Sequence, residues 1–282
     1  VLSIYGPGGV GGVLAAVVRH AGIDVEIVAT ERTAATINEV GLNLESAQYG
    51  SIQVDVPART EPTPGSAIIV ATKAYSLPEI AQNIEESAPS EIVSLCNGVS
   101  HAERIHDLGA SRATCGAIRI VSERTSPGVF LHHSKFTMID VEEAARGWEI
   151  PETLERAGLT VRVGGTEAEV LWNKLRFLAP MALLTASTGK SLGPAMVQSE
   201  PLIEEVAQIA TASGLETAPD DIYNFLNKID PDSDSSLGRD VTAGNPTEID
   251  ALGHDLVRTA ERAGIDTPAL AAAIQAIESR LA

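Results

Sequence analysis

Apolar and polar positions along this chain fall into two textures. In the first half, short apolar runs are separated by stretches with helical spacing. Leu2–Tyr5, Val25–Ala29, Ala67–Ala71 and Ile92–Leu95 read as buried strands, and Val10–Ala21, Thr33–Val40 and Leu77–Glu86 as helices. Strands alternating with helices predict a parallel sheet with helical crossovers. Gly116–Val121, Gly128–His132 and Phe136–Ile139 are shorter β runs split by turn residues such as Ser126-Pro127-Gly128, and they suggest an antiparallel extension of that sheet. From Thr166 onward no strand pattern occurs. Helical patterns cover Glu167–Thr185, Pro201–Ser213, Pro219–Asn227, Ser235–Ala243, Thr247–Ala263 and Pro268–Leu281, with Gly, Pro, Asp and Ser at the breaks. The change at Gly164-Gly165 predicts an α/β domain over residues 1–165 and an all-α domain over residues 166–282. A length of 282 residues agrees with two cores.

Composition narrows the function classes. The formal net charge is −18, a field that repels nucleic acid and anionic membrane surfaces. An anionic ligand must then be held by local cations and backbone N–H groups. The aromatic fraction of 4% argues against platforms for base stacking. No run of about 18 apolar residues occurs, so no membrane span is expected. The opening Val1–Tyr5 lacks a basic flank and a cleavage pattern, so it does not read as a signal peptide. Cys96 and Cys115, the two cysteines, sit in strand-like contexts and read as reduced core thiols of a cytoplasmic protein.

Candidate chemistry begins with Gly6-Pro7-Gly8-Gly9-Val10-Gly11, which follows the first strand and opens the first helix. This is the dinucleotide-binding pattern in its proper context. The first glycine permits the tight turn, the second lets backbone approach a pyrophosphate, and the third lets helix pack on strand. The helix N-terminus adds free N–H groups. The expected fold of residues 1–165 is therefore Rossmann-like. Gly6, Gly8, Gly9, Val10 and Gly11 are the expected cofactor contacts. The end of the second strand reads Ala29-Thr30-Glu31-Arg32. Glu31 suits a ribose 2′-hydroxyl and NAD, whereas Thr30 with Arg32 suits a 2′-phosphate and NADP. The first position after the strand is not acidic, which favours NADP.

A hydride reductase also needs a proton donor at the forming alkoxide. Lys174, within the apolar run Val170–Leu175 just after the domain boundary, is the candidate general acid. A cleft between the two domains is the expected active site. The plainer reading is a lysine extending from a helix flank. Other motifs carry less. Gly189-Lys190-Ser191 looks like the end of a P-loop, but a helix precedes it. Asp230, Asp232 and Asp234 look like a calcium loop, but Ser235 and Val241 stand where it needs Gly and Glu. His132 and His133 point to opposite faces of one strand. No metal is expected.

Taken in order and spacing, the glycine motif, Thr72-Lys73-Ala74, Leu95–Val99, Trp172–Leu175, Ser235-Ser236, Asp240, Pro246–Asp250 and Ala263–Pro268 resemble the ketopantoate reductase family over nearly the whole chain. The resemblance implies NADPH-dependent reduction of a 2-oxo acid to a 2-hydroxy acid, in that family ketopantoate to pantoate in pantothenate biosynthesis. It implies Lys174 as the acid at the ketone oxygen, with Glu248 orienting Lys174 or the substrate. Asn97 would lie near the nicotinamide and bond Lys174, Lys73 would line the cofactor site, and Ser236 would bind the substrate carboxylate. Two departures stand out. Where the family commonly has Asn four and eight residues after the lysine, this chain has Leu178 and Ala182, which share the Lys174 helix face. A site that loses amides disfavours the substrate they bind, so a 2-oxo acid with a less polar side chain is an alternative. Thr30 also replaces the Arg common among NADP-binding members. Pro180 is expected to kink its helix, and Arg176 to point away from Lys174 into solvent. A non-catalytic NADP-binding sensor and an NAD-dependent dehydrogenase are the other readings. A monomer or homodimer, with a small-molecule partner and neither nucleic acid nor membrane, is expected.

Overall fold

The computed structural model describes residues 1–282 and divides them into two compact units. The first comprises Val1–Cys96 with His101–Val170, and the second Asn97–Ser100 with Leu171–Ala282. The division thus falls inside a helix, after Val170 rather than at Gly165, and a four-residue loop from the first half clusters with the helical unit.

The first unit is built on β1 (Leu2–Tyr5), β2 (Val25–Val28), β3 (Leu42–Ser46), β4 (Gly50–Val54), β5 (Ala58–Arg59), β6 (Ala67–Val70), β7 (Glu91–Ser94), β8 (Ala113–Cys115), β9 (Ala117–Arg119), β10 (Ser122–Ser126), β11 (Val129–His132), β12 (Met138–Val141) and β13 (Thr160–Val163). Its main sheet has six parallel strands in the order β5-β2-β1-β6-β7-β8. β1, β2, β6 and β7 are buried throughout, as continuous apolar runs in a covered parallel sheet should be. The order reverses at β1, the switch point beside which dinucleotides bind in such sheets. Helices α1 (Gly9–His20), α2 (Glu31–Val40), α3 (Leu77–Glu86) and α4 (His101–His106) lie in the connections of this sheet, and α5 (Glu149–Arg156), between β12 and β13, packs on β6 and β7.

The later β runs do not extend this sheet. β10 and β11 join β3 and β4 in a separate four-stranded sheet, while β9, β12 and β13 form a three-stranded one. The antiparallel pairing of β10 with β11 is present, but β11 then runs parallel to β3. The reason lies in α1. It touches β1 and β2 on one side and β3, β4, β10 and β11 on the other. A helix apolar all round needs cover on both sides, and the four-stranded sheet supplies the second cover.

The second unit is helical, with most of α6 (Glu167–Thr188), then α7 (Leu192–Ala195), α8 (Glu200–Ala212), α9 (Pro219–Leu226), α10 (Ser236–Ala243), α11 (Asp255–Ala263) and α12 (Pro268–Leu281). α6 runs unbroken through Pro180, whose missing N–H leaves the Arg176 carbonyl without that intrahelical donor. The helix expected from Thr247 begins after Glu248 and opens with a π-helical turn, Asp250–His254, before continuing as α11. The Asp255 N–H reaches back five residues to the Asp250 carbonyl. Inserting one residue this way turns the rest of the helix by about 100° about its axis. Leu183, Val206, Ile209, Leu256 and Ile277 lie at the centre of this unit's core. No helix in the chain is long and apolar enough to cross a membrane.

Candidate active site

In the first unit, the glycines of the β1–α1 turn have separate tasks. Gly6 has φ +89°, and a Cβ there would stand 2.6 Å from the Thr72 methyl. A Cβ on Gly11 would stand 2.2 Å from the Gly6 carbonyl oxygen. These two make the turn and seat the helix on β1. Gly9 and Gly12 face the other sheet. A Cβ would come within 2.7 Å of the Ser122 carbonyl at Gly9, and within 2.1 Å of the Phe130 ring at Gly12. Gly8 alone in this set has nothing within 4 Å of its Cβ position. It starts α1 with no side-chain cap, so the first-turn N–H groups have no side-chain acceptor. An uncapped helix start beside an empty glycine cradle fits a dinucleotide pyrophosphate.

Other expected contacts gather at the same turn or at the next strand end. Lys73 is half-buried and follows Thr72, whose methyl lies against Gly6. Thr30 precedes α2, and its hydroxyl donates to Thr33 Oγ1 at 3.1 Å; Glu31 and Arg32 are exposed in the first turn. One cation escaped the sequence reading: Arg124 on β10 donates to the Pro7 carbonyl at 3.4 Å. Residues 117 positions apart give no local pattern, and only the sheet pairing of β10 reveals it.

In the second unit, Lys174, Asn97 and Glu248 form one hydrogen-bonded group. Lys174 Nζ donates to Asn97 Oδ1 at 2.7 Å, and Asn97 Nδ2 donates to Glu248 Oε2 at 3.2 Å. The charges fix the amide's orientation, since an ammonium needs an acceptor and a carboxylate a donor. Glu248 is buried at 4% exposure, while Asn97 and Lys174 are half-buried. The buried carboxylate holds the amide, and the amide oxygen in turn holds the lysine ammonium. Gly98, the next residue, has φ +91°, and a Cβ there would stand 2.9 Å from the Ala251 carbonyl. Only glycine lets the Asn97–Ser100 loop lie so close to the π turn.

The remaining expected residues are placed less uniformly. Leu178, one turn beyond Lys174, is half-buried. Ala182 is 1% exposed within the helical core, so it presents no surface to a ligand and the expected pair narrows to Leu178. Ser236 opens α10 and is half-buried. Its neighbour Ser235 caps that helix, accepting from Gly238 N at 2.9 Å, and pairs with Thr185 Oγ1 on α6 at 2.6 Å. Arg176 does not extend into solvent. It lies over the Phe177 ring, 4.6 Å from the centroid, and donates to Thr217 Oγ1 at 3.3 Å and Asn173 Oδ1 at 3.4 Å. Stacking on an aromatic face holds a guanidinium that a helical wheel alone assigns to water. Cys115 is fully buried, and burial, with Glu167 nearby, pushes its thiol well above the usual range. It is no nucleophile at neutral pH.

Two profiles of one family cover most of the chain: ketopantoate reductase PanE/ApbA matches residues 2–145, and its C-terminal counterpart matches residues 168–280. The chain belongs to the ketopantoate reductase family. Among curated relatives, the uncharacterized oxidoreductase YkpB of Bacillus subtilis is 23% identical over 95% of this chain and 94% of its own length. The 2-dehydropantoate 2-reductase of Caulobacter vibrioides is 26% identical over 95% and 94%. A solved D-mandelate dehydrogenase, described with NADH and anilino(oxo)acetate, shares the fold with a TM-score of 0.88 at 17% identity, covering 99% of this chain and 98% of its own. Family membership makes this chain an oxidoreductase of the 2-oxo/2-hydroxy acid type with a nicotinamide cofactor.

Proposed function

We propose that this protein reduces a 2-oxo acid to a 2-hydroxy acid with NADPH. The observation that carries the proposal is the Lys174–Asn97–Glu248 group, a half-buried ammonium held by an amide that a buried carboxylate holds in turn. A bound dihydronicotinamide supplies the hydride that goes to the substrate's carbonyl carbon. Lys174 donates the proton to the carbonyl oxygen as negative charge develops there, and is reprotonated from solvent. Asn97 keeps Nζ in one place, and Glu248 keeps Asn97 in one orientation. Ser236 would take the substrate carboxylate. Gly8 and the first turn of α1 would take the pyrophosphate, with Lys73 beside them, and Thr30 and Arg32 the 2′-phosphate.

Leu178 favours a second reading of the substrate. A half-buried leucine one turn from the proton donor offers apolar surface where an amide would bind a hydroxyl. A 2-oxo acid with an apolar side chain then replaces ketopantoate, and the fold shared with D-mandelate dehydrogenase accommodates such a substrate class.

The test is the initial rate of NADPH and NADH oxidation against a panel of 2-oxo acids that includes ketopantoate and phenylglyoxylate. Turnover of ketopantoate with NADPH supports the family reaction. Turnover confined to apolar oxo acids supports the reading from Leu178. Faster oxidation of NADH overturns the cofactor assignment. Tight NADPH binding without turnover of any oxo acid overturns the reductase and leaves a dinucleotide sensor.

A further inference from the structure

The Asn97–Ser100 loop belongs to the helical unit although its neighbours on both sides belong to the other. Three contacts explain this. Gly98 lies against Ala251 of the π turn, and Val99 packs on the helical core. At the loop's end, the Ser100 hydroxyl donates to Asp255 Oδ2. Asp255 is 2% exposed, and its other oxygen, Oδ1, takes the Arg258 guanidinium. Arg258 also bonds Asp250 at 3.2 Å, across the π turn. The π turn is therefore bracketed by two carboxylates, Glu248 before it and Asp255 after it. Each receives one end of the same loop, Asn97 at the first and Ser100 at the second.

From this geometry we infer that Ser100 and Asp255 are positioning residues for the proton donor: they set the loop so that the Asn97 amide is presented to Lys174. A side-chain amide on an irregular loop has no ladder of backbone bonds to fix it. Its place depends on how the loop is tied at both ends. Asn97 is tied by Glu248, but that bond moves with the amide itself. The Ser100–Asp255 bond is independent of the amide, and its buried acceptor is held from the other side by the half-exposed Arg258 guanidinium. A buried carboxylate strongly favours keeping a donor it already has, because losing one leaves an oxygen lone pair unsatisfied. The π turn gives the bracket its geometry, since an α-helical continuation would rotate Asp255 about 100° relative to Glu248.

This inference rests on the proposed role of Lys174, and the experiment separates the two. Ser100→Ala, Ser100→Thr and Asp255→Asn are compared with wild type in the full chain. Two readouts are taken: amide hydrogen exchange at residues 98 to 100, and steady-state kinetics on whichever oxo acid the panel identifies. Ser100→Ala is expected to speed exchange in that loop alone. It should lower kcat between about 10- and 100-fold, the scale of a misplaced catalytic group. KM for the oxo acid and the dissociation constant of NADPH should stay within about twofold, because Ser100 acts on the proton donor and not on binding. Ser100→Thr restores both readouts. Unchanged exchange in the loop overturns the inference whatever the activity. Faster exchange throughout the helical unit with a lowered melting temperature also overturns it, as a purely structural role. If wild type reduces no oxo acid, the proposed function fails. The exchange arm still decides whether Ser100 and Asp255 hold the loop. Because Asp255 is buried, the loop variant Ser100→Ala keeps the test informative if Asp255→Asn does not fold.

Discussion

The Gly6–Gly11 turn and the Asn97–Lys174–Glu248 group differ in how far along the chain their parts originate. The turn is a single stretch of six residues that leaves one strand and enters the first turn of one helix. Its shape comes from adjacent residues whose backbone freedom is local. The group joins residues 77 and 151 positions apart, and depends on a loop, a long helix and a π turn. A local device tolerates change elsewhere in the chain but not within itself. A distributed device fails at any of its supports. The first kind presents backbone groups, and the second organises one side chain through others.

The largest effect should come from breaking the distributed device at its centre. Lys174→Ala removes the proposed proton donor and is expected to lower kcat by about 10²–10⁴-fold, the usual worth of general acid catalysis. The NADPH dissociation constant should be nearly unchanged, because the residues proposed to hold the cofactor lie on the other unit's glycine turn and its flanks. Stopped-flow reduction of a saturating oxo acid, paired with fluorescence titration of NADPH, checks both halves. Retained turnover would remove Lys174 from the chemistry.

A paired substitution sharpens the local half. Gly8→Ala meets no protein atom within 4 Å, whereas Gly12→Ala drives a methyl into the Phe130 ring. Gly8 already has φ −78°, so alanine fits its backbone. Gly8→Ala should leave the melting temperature at the wild-type value and weaken NADPH about tenfold, or about 1.4 kcal/mol, because the new methyl occupies the pyrophosphate's approach. Gly12→Ala should destabilise by about 1–3 kcal/mol, the usual cost of overpacking. Its affinity per folded molecule should be little changed. Equal affinity in wild type and Gly8→Ala would mean that the cradle does not hold the cofactor. Calorimetric melting and titration of the same samples give both quantities.

Legibility in the sequence divides along the same line. β1, α3 and α12 stand at their expected limits, because apolar runs and helical spacing are local signals. The glycine turn was legible for the same reason. β3 and β4 were not, although Leu42, Leu44, Ile52 and Val54 alternate with polar residues: runs of five carry little periodic signal by themselves, and these become strands by pairing with each other, β3 with β11, and both against α1. Lys174, Asn97 and Glu248 were legible as a resemblance, not as a geometry: no spacing rule says that a lysine on α6 meets an asparagine after β7. Ser100 and Asp255 left no sequence signal, and Arg176 gave a misleading one because its aromatic partner is a neighbour on the helix. Glu205 and Glu91 make the point from the structural side. Each accepts two backbone N–H groups at the start of a distant helix, α12 and α5 respectively. In the sequence each is one acidic residue among 38 acidic positions, with nothing to mark it.

The smallest expected effect tests whether a distributed polar network must be functional at all. His132 on β11 is 2% exposed and sits in one. Ser46 Oγ meets Nδ1 at 2.8 Å, while Ser134 Oγ at 2.9 Å and the Phe136 carbonyl at 3.2 Å meet Nε2. A carbonyl can only accept, so Nε2 carries the hydrogen and Nδ1 accepts from Ser46, leaving the ring neutral and satisfied. Burial lowers its pKa below the ordinary 6.5; the Phe136 carbonyl opposes that shift, and His133 adds a little to it. The sign depends on which state takes the proton first. Below pH 6.5 the unfolded chain protonates this histidine and the folded chain does not, so folding stability is complete above that pH and is lost as pH falls toward the lowered folded value. Urea midpoints of wild type and His132→Asn at pH 7.5 and 5.5 isolate this, because every other titrating group contributes to both proteins. The wild-type midpoint should fall more than the variant's between the two pH values. Turnover per folded molecule should be unchanged by the substitution at pH 7.5. Equal falls would show that the ring protonates without penalty in the folded state. A loss of turnover at pH 7.5 would show that a network in the four-stranded sheet reaches the chemistry, and the contrast between a turn shaped by its backbone in one unit and a polar group shaped by its side chains in the other would no longer hold.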